Sequence, residues 1–163
     1  MAITYEPIAT TTLGSSAVDI TFSSISSAYT DIVLIFEGVR DSGGDLDLGF
    51  RFNSDTGSNY SDTEIRYTGT SVNSYRNSNQ TFTRVGVLTT SRTFLIANIM
   101  DYSNTTTYKT VVSTVRSQNT EYGSTAKVSL WRSTSAISSI TIYSGAGNIA
   151  SGAKATIYGI KEA

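Results

Sequence analysis

Residues 53–61 set Asn53, Asp55, Thr56, Ser58 and Asn59 around Gly57 and close on Tyr60 and Ser61. Alternating side-chain oxygens about a glycine are the ligands a hard cation such as calcium takes, and Asn53, Asp55 and Asn59 are the candidates. A calcium loop between two helices carries more carboxylates and ends on a glutamate at its twelfth position. Glu64 falls there when counted from Asn53, but no helix is expected on either side. The same residue types favour turns, through local side chain-to-backbone bonds and tolerance of positive φ. The stretch therefore reads first as a turn, with a partner-contact loop and a calcium loop as alternatives. Calcium is the one cofactor the sequence brings into question.

Asp41, Asp45 and Asp47 cluster around Gly43-Gly44. Two carboxylates at the right separation can hydrolyse a glycosidic bond, yet acids beside a Gly-Gly turn are ordinarily just solvated. The chain has no histidine and no cysteine. Ser-His-Asp catalysis, thiol chemistry and His-ligated zinc or iron are thereby excluded, and no catalytic residue is expected. Tyr60, Tyr75, Tyr102 and Tyr122 fall in or near turns, where a tyrosine ring offers contact area and its hydroxyl a hydrogen bond. They are the expected contact surface. The competing reading has each ring capping the core. Trp131, on a strand-like segment, is read as core or subunit interface. Arginine outnumbers lysine, which leans toward ion pairs fixed between packed surfaces.

The elements that must position these residues are strands. Hydrophobic residues make up 39% of the 163 and charged residues only 15%, with abundant Ser and Thr to face solvent. Residues 17–22, 46–52, 108–118 and 126–132 alternate apolar and polar. Residues 30–39 form a continuous apolar run, expected to be buried on both faces. Residues 82–88 read as a strand with a bulge near Gly86, and residues 70–81 as a long polar surface loop. No helix start leads into a 3.6-residue pattern. The spacing predicts an all-β antiparallel sandwich, jelly-roll-like, of about nine to eleven short strands. Residues 1–13, with Ile3, Tyr5, Pro7 and Ile8, read as an extended attachment arm with an edge strand that docks on its own domain or on a neighbour. Residues 14–163 read as one sandwich domain. The net charge of −1 gives no field to draw in nucleic acid. The longest apolar run, 32–36, is far below the ~20 residues of a membrane helix, so no membrane insertion is expected.

Several segments together resemble a known group. They are Thr4 to Leu13 at the start, Ile20 to Ile25 with Tyr29 to Leu34, the loop from Phe52 to Ser61, and Ala155 to Ile160 at the end. The chain resembles the small virion proteins of tailed bacteriophages, notably marine and cyanobacterial ones. The resemblance spans most of the chain and brings no catalytic motif. It implies a non-enzymatic structural protein located on the virion, as a capsid decoration or cement protein or a tail-fibre or adhesin component. Its expected partners are other virion proteins and further copies of itself, with a host-surface glycan as a third. The alternative reading from the residues is a carbohydrate-binding, lectin-like sandwich module.

Overall fold

The computed structural model describes residues 4–118 and 123–161. Wherever apolar side chains recur at every second position the chain runs extended and turns that face inward. The strands are β1 (Thr4–Thr12), β2 (Asp19–Phe22), β3 (Asp31–Gly38), β4 (Leu46–Phe52), β5 (Tyr60–Thr68), β6 (Ser71–Gln80), β7 (Thr83–Leu88), β8 (Thr93–Met100), β9 (Lys109–Ser117), β10 (Ser124–Trp131), β11 (Ile140–Tyr143) and β12 (Lys154–Lys161). None of the described residues is helical.

The strands form two antiparallel sheets. One has eight, in the order β1-β12-β3-β8-β9-β10-β5-β6; the other has four, β2-β11-β4-β7. Four nested pairs explain both orders: β1 with β12, β2 with β11, β3 with β8, and β4 with β7. They are the rungs of one long hairpin whose rungs are dealt alternately to the two sheets. Pairing of β12 with β3 and of β11 with β4 closes each sheet across the roll. The fold is a jelly-roll sandwich. Strands β9 and β10 and the β5–β6 hairpin widen only the larger sheet, and β7 lies across β9, β10 and β5.

Between the sheets Leu34, Phe36, Leu48, Phe50, Ile142 and Ile157 are fully buried. Each such side chain contributes about 1.5–3 kcal/mol on burial. Phe50 and Phe52 both face this core, as the alternation of β4 requires. The bulge expected near Gly86 is present: opposite Leu48 and Gly49 the ladder skips Val85.

Two expectations need correction. The strands number twelve among the described residues, beyond nine to eleven, because residues 71–80 are strand β6 rather than a surface loop. β6 shows no apolar alternation because it is the sheet's end strand, largely exposed on both faces. Its backbone pairing with β5, after a two-residue turn at Gly69-Thr70 with Gly69 at φ +59°, makes it a strand. Second, β3 is buried on one face only by the opposite sheet. Ile32, Leu34 and Phe36 fill the core, whereas Val33 and Ile35 lie on the outer face, screened by neighbours in their own sheet. The N-terminal segment takes the first of its two expected placements and docks on its own domain. β1 is laid along β12, with Tyr5 opposite Ile160 and Thr12 opposite Lys154. Its register slips between Pro7 and Ala9, where proline brings no N–H to the ladder. Ile8, Ala9 and Leu13 pack against the core, which ties the segment to its own sandwich. Ile3 lies outside the described residues.

Candidate functional site

The loop after β4 is a structural turn. Asn53 and Ser54 both have positive φ (51° and 57°), and the Asp55 N–H donates to the Phe52 carbonyl at 2.9 Å. Two consecutive residues of this kind make a tight turn that asparagine tolerates well. The Asn53 amide reaches across to the segment before β11. Its Nδ2 donates to the Ala136 carbonyl at 2.7 Å, and its Oδ1 accepts from the N–H groups of Ser138 and Ser139. Asp55 accepts from the Gly57 N–H (2.8 Å), Asn59 Nδ2 (2.9 Å) and the Trp131 indole N–H (2.7 Å). Burial raises its pKa, but these three donors outweigh that and hold the carboxyl below its ordinary value. Asp55 and Asn59 thus meet each other, while Asn53 faces away from them. The Asn53 Oδ1 faces residues 138–139, both Asp55 oxygens accept from donors of the chain, and Asn59 donates its Nδ2 to Asp55. Among the described residues no group of three or more His, Cys, Asp or Glu side chains is placed to hold a metal.

Two of the tyrosines assigned to a contact surface are core. Tyr60 is fully buried, with its ring stacked beside Trp131 (6.4 Å between centroids) and near Phe52 (6.3 Å). Its hydroxyl accepts from the Phe52 N–H and donates to the Asp55 carbonyl. Tyr102 is also fully buried; its hydroxyl donates to the Ser26 carbonyl and accepts from the Tyr29 N–H. Both rings cap the sandwich because their hydroxyls find backbone partners at its ends. Tyr75 on β6 is exposed, with the Arg66 guanidinium 5.2 Å from its ring centre. Tyr122 lies outside the described residues. Trp131 is core. In the expected arm, Tyr5 is exposed, Pro7 sits at the register slip and Ile8 packs inward; the free edge of β1 is one end of the eight-stranded sheet.

A recess of about 520 Å³ opens on the outer side of the four-stranded sheet. Gly49 faces outward on β4, and the Phe82 ring lies over it. Phe82 meets Tyr143 of β11 edge-on, with 5.4 Å between centroids. The Arg51 guanidinium rests 4.0 Å above the Tyr143 ring, and its Nε donates to the Thr81 carbonyl at 3.4 Å. Arg84 of β7 pairs with Asp47 at 3.0 Å, and its Nε is buried without an acceptor among the described residues. Asp45 and Arg66 complete the charged part of the lining. Asp45 and Asp47 thus share this recess, while Asp41 is not part of its lining.

Behind the recess, under β7, lies a buried ionic group. Lys127 Nζ is 2.8 Å from Glu64 and 3.6 Å from Asp62, and Arg66 Nε is 2.5 Å from Glu64. Burial pushes the Glu64 pKa up, but bonds from Arg66 and Lys127 outweigh it and leave the carboxyl below its ordinary value. The alternation of β4 contained one sign of the recess, since a glycine at an outward position leaves room for something to sit on it. Phe82, Arg84 and Tyr143 come from elsewhere in the chain, and no spacing pattern connects them.

The outer face of the eight-stranded sheet is the second notable surface. One cross-strand row reads Thr156, Ile35, Ile96, Thr114, Ala126 and Ile65; the next reads Tyr158, Val33, Asn98, Val112, Val128 and Thr63. Neither row holds a charge across six strands. The charges begin in the flanking row, at Lys154, Glu37 and Arg116.

No family model and no curated protein matches the chain. Among solved structures it is similar to the galectin LEC-6 of Caenorhabditis elegans, at 7% identity and a TM-score of 0.34 over 94% of this chain and 96% of that one. It is also similar to the alginate lyase Aly36B in complex with an alginate tetrasaccharide, at 8% identity and a TM-score of 0.35 over 94% and 79%. The SPRY domain of human HERC1 follows, at 14% identity and a TM-score of 0.24 over 86% and 98%. Scores this low carry no inference about this chain, whose fold rests on its own strand pairing.

Proposed function

We propose that this protein is a non-enzymatic structural protein that assembles through protein–protein contacts, with a second copy of itself seated on the outer face of the eight-stranded sheet. The observation that carries the reading is the pair of charge-free rows across six strands. Ile65, Val128, Val112 and Ile96 there are all at least 38% exposed. An uncharged apolar centre with charge confined to its margin is the composition of an interface core and its rim. The size fits as well. The whole outer face, apolar centre and charged margin together, spans seven inter-strand spacings of about 4.8 Å by roughly 25 Å of strand length, about 840 Å² per copy, against the ~800 Å² per partner of a stable interface. The resemblance of the sequence to tailed-phage virion proteins supports the further step that this assembly occurs on a phage particle, at the capsid or the tail.

Light scattering on the purified chain tests the assembly. The expected mass is twice the 17.5 kDa of one chain. Replacing both Ile96 and Val128 with Glu is expected to give monomers that keep the β-rich circular dichroism of the parent. A parent that stays monomeric up to the highest soluble concentration would falsify the reading. Imaging of particles made with and without the chain tests the virion step, which fails if no density is lost.

A further inference from the structure

We propose that the recess beside β7 binds a sugar bearing a carboxylate, of the hexuronate class, with Arg51 as the anion anchor and Phe82 and Tyr143 as its apolar wall. The proposal is independent of the assembly reading, because the recess opens on the other sheet. Its volume of about 520 Å³ lies within the ~300–1,000 Å³ of small-ligand sites.

The charges of the lining separate into two kinds. Arg66 is committed to the buried Glu64, and Arg84 to Asp47. Arg51 has no carboxylate partner among the described residues; it donates one long bond to a carbonyl and holds its guanidinium carbon 4.0 Å from the centre of the Tyr143 ring. A guanidinium so placed keeps the edge of its planar fork for an incoming acceptor, and a carboxylate matches that fork in two parallel bonds. Contact with the ring and the bond to the Thr81 carbonyl restrict the side chain beforehand, so less conformational freedom remains to be lost on binding. Arg84 adds a second positive charge to the lining, with its own Nε buried and without a partner among the described residues.

The two aspartates decide the class of anion. Asp45 and Asp47 line the same recess. They repel a phosphate dianion but accept hydrogen bonds from hydroxyl groups. A ligand with one carboxylate and several hydroxyls presents an acceptor to Arg51 and donors to the acidic side of the recess. The Phe82–Tyr143 pair offers apolar surface to the C–H face of a sugar ring, as aromatic side chains do in sites that fix a partly polar ligand.

Titration of the full chain with glucuronate, glucose and inorganic phosphate, followed by calorimetry and by the ring signals of Tyr143 and Phe82, tests this. Saturable glucuronate binding is expected, with glucose and phosphate each about 10-fold weaker or more. Arg51→Gln should lose at least about 10-fold of the glucuronate affinity, and Arg51→Lys should recover part of it. Equal binding of glucose, phosphate binding as tight as glucuronate, or an unchanged affinity in Arg51→Gln each overturn the proposal. Should that variant be unstable, absence of any shift of the Tyr143 and Phe82 signals in the parent chain overturns it equally.

Discussion

Asp55 holds three donors at once, and that determines the character of its loop. The carboxylate joins the turn backbone at Gly57, the Asn59 amide and the indole of Trp131. Asp55→Ala would leave the N–H of a buried Trp131 without an acceptor. It should cost about 1–3 kcal/mol in urea unfolding, the penalty of an orphaned buried donor, with or without calcium present. A loss that appears only when calcium is supplied would reinstate the metal reading. Asn53 acts in the same way, spending its whole amide on residues 136–139. The residue types around Gly57 showed a turn in the sequence. What their oxygens bond to was set by segments some 80 residues away, which composition does not address.

At the level of elements, β4 and β7 form one unit that makes the recess. A Cβ on Gly49 would sit 2.1 Å from the Thr83 carbonyl oxygen and 2.5 Å from a Phe82 ring carbon. Backbone cannot yield as a flexible side chain does, so Gly49→Ala should destabilise the fold by roughly 1–3 kcal/mol and displace Phe82. Thermal melting and the Phe82 ring signals check both effects. Gly14 has no atom within 4 Å of the same position, and Gly14→Ala should be close to neutral. Periodicity located β4 and its core face correctly. It missed β6, whose side chains are mostly in solvent, because a strand held by backbone pairing alone has no hydrophobic pattern to read.

For the whole molecule, acid stability follows from carboxyls whose pKa values are lowered on folding. Glu64 and Asp55 lie below their ordinary values of 4.5 and 3.8. Such groups bind fewer protons folded than unfolded, so their contribution is complete above those values and is lost as pH falls through the lower, folded ones. The melting temperature should therefore be flat down to about pH 5 and drop below about pH 4. Glu64→Gln should flatten part of that drop. Tyr60 acts at the other limb. Burial raises its pKa to about 12 from 10.0, so stability should fall as pH rises beyond 10.0. A melting temperature unchanged between pH 5 and pH 3 would contradict the role given to the ionic group under β7.

By itself the sequence determined the class of structure and excluded much chemistry. Period-two alternation makes strands, Gly, Asn and Asp make turns, and a chain without His or Cys has no imidazole or thiol to use. These are local or compositional properties and need no partner. The tertiary structure alone decided the rest. Tyr60 and Tyr102 became core because backbone groups at the ends of the sandwich accept their hydroxyls. Rolling one long hairpin into two sheets brought Arg51, Phe82, Arg84 and Tyr143 to one recess, and set Ile65, Ile96, Val112 and Val128 on one open face. Both groupings arise from pairing between strands distant in sequence, which no local pattern encodes. The loop at 53–61, the most distinctive stretch in the sequence, proved to be a clasp for that roll rather than a site upon it.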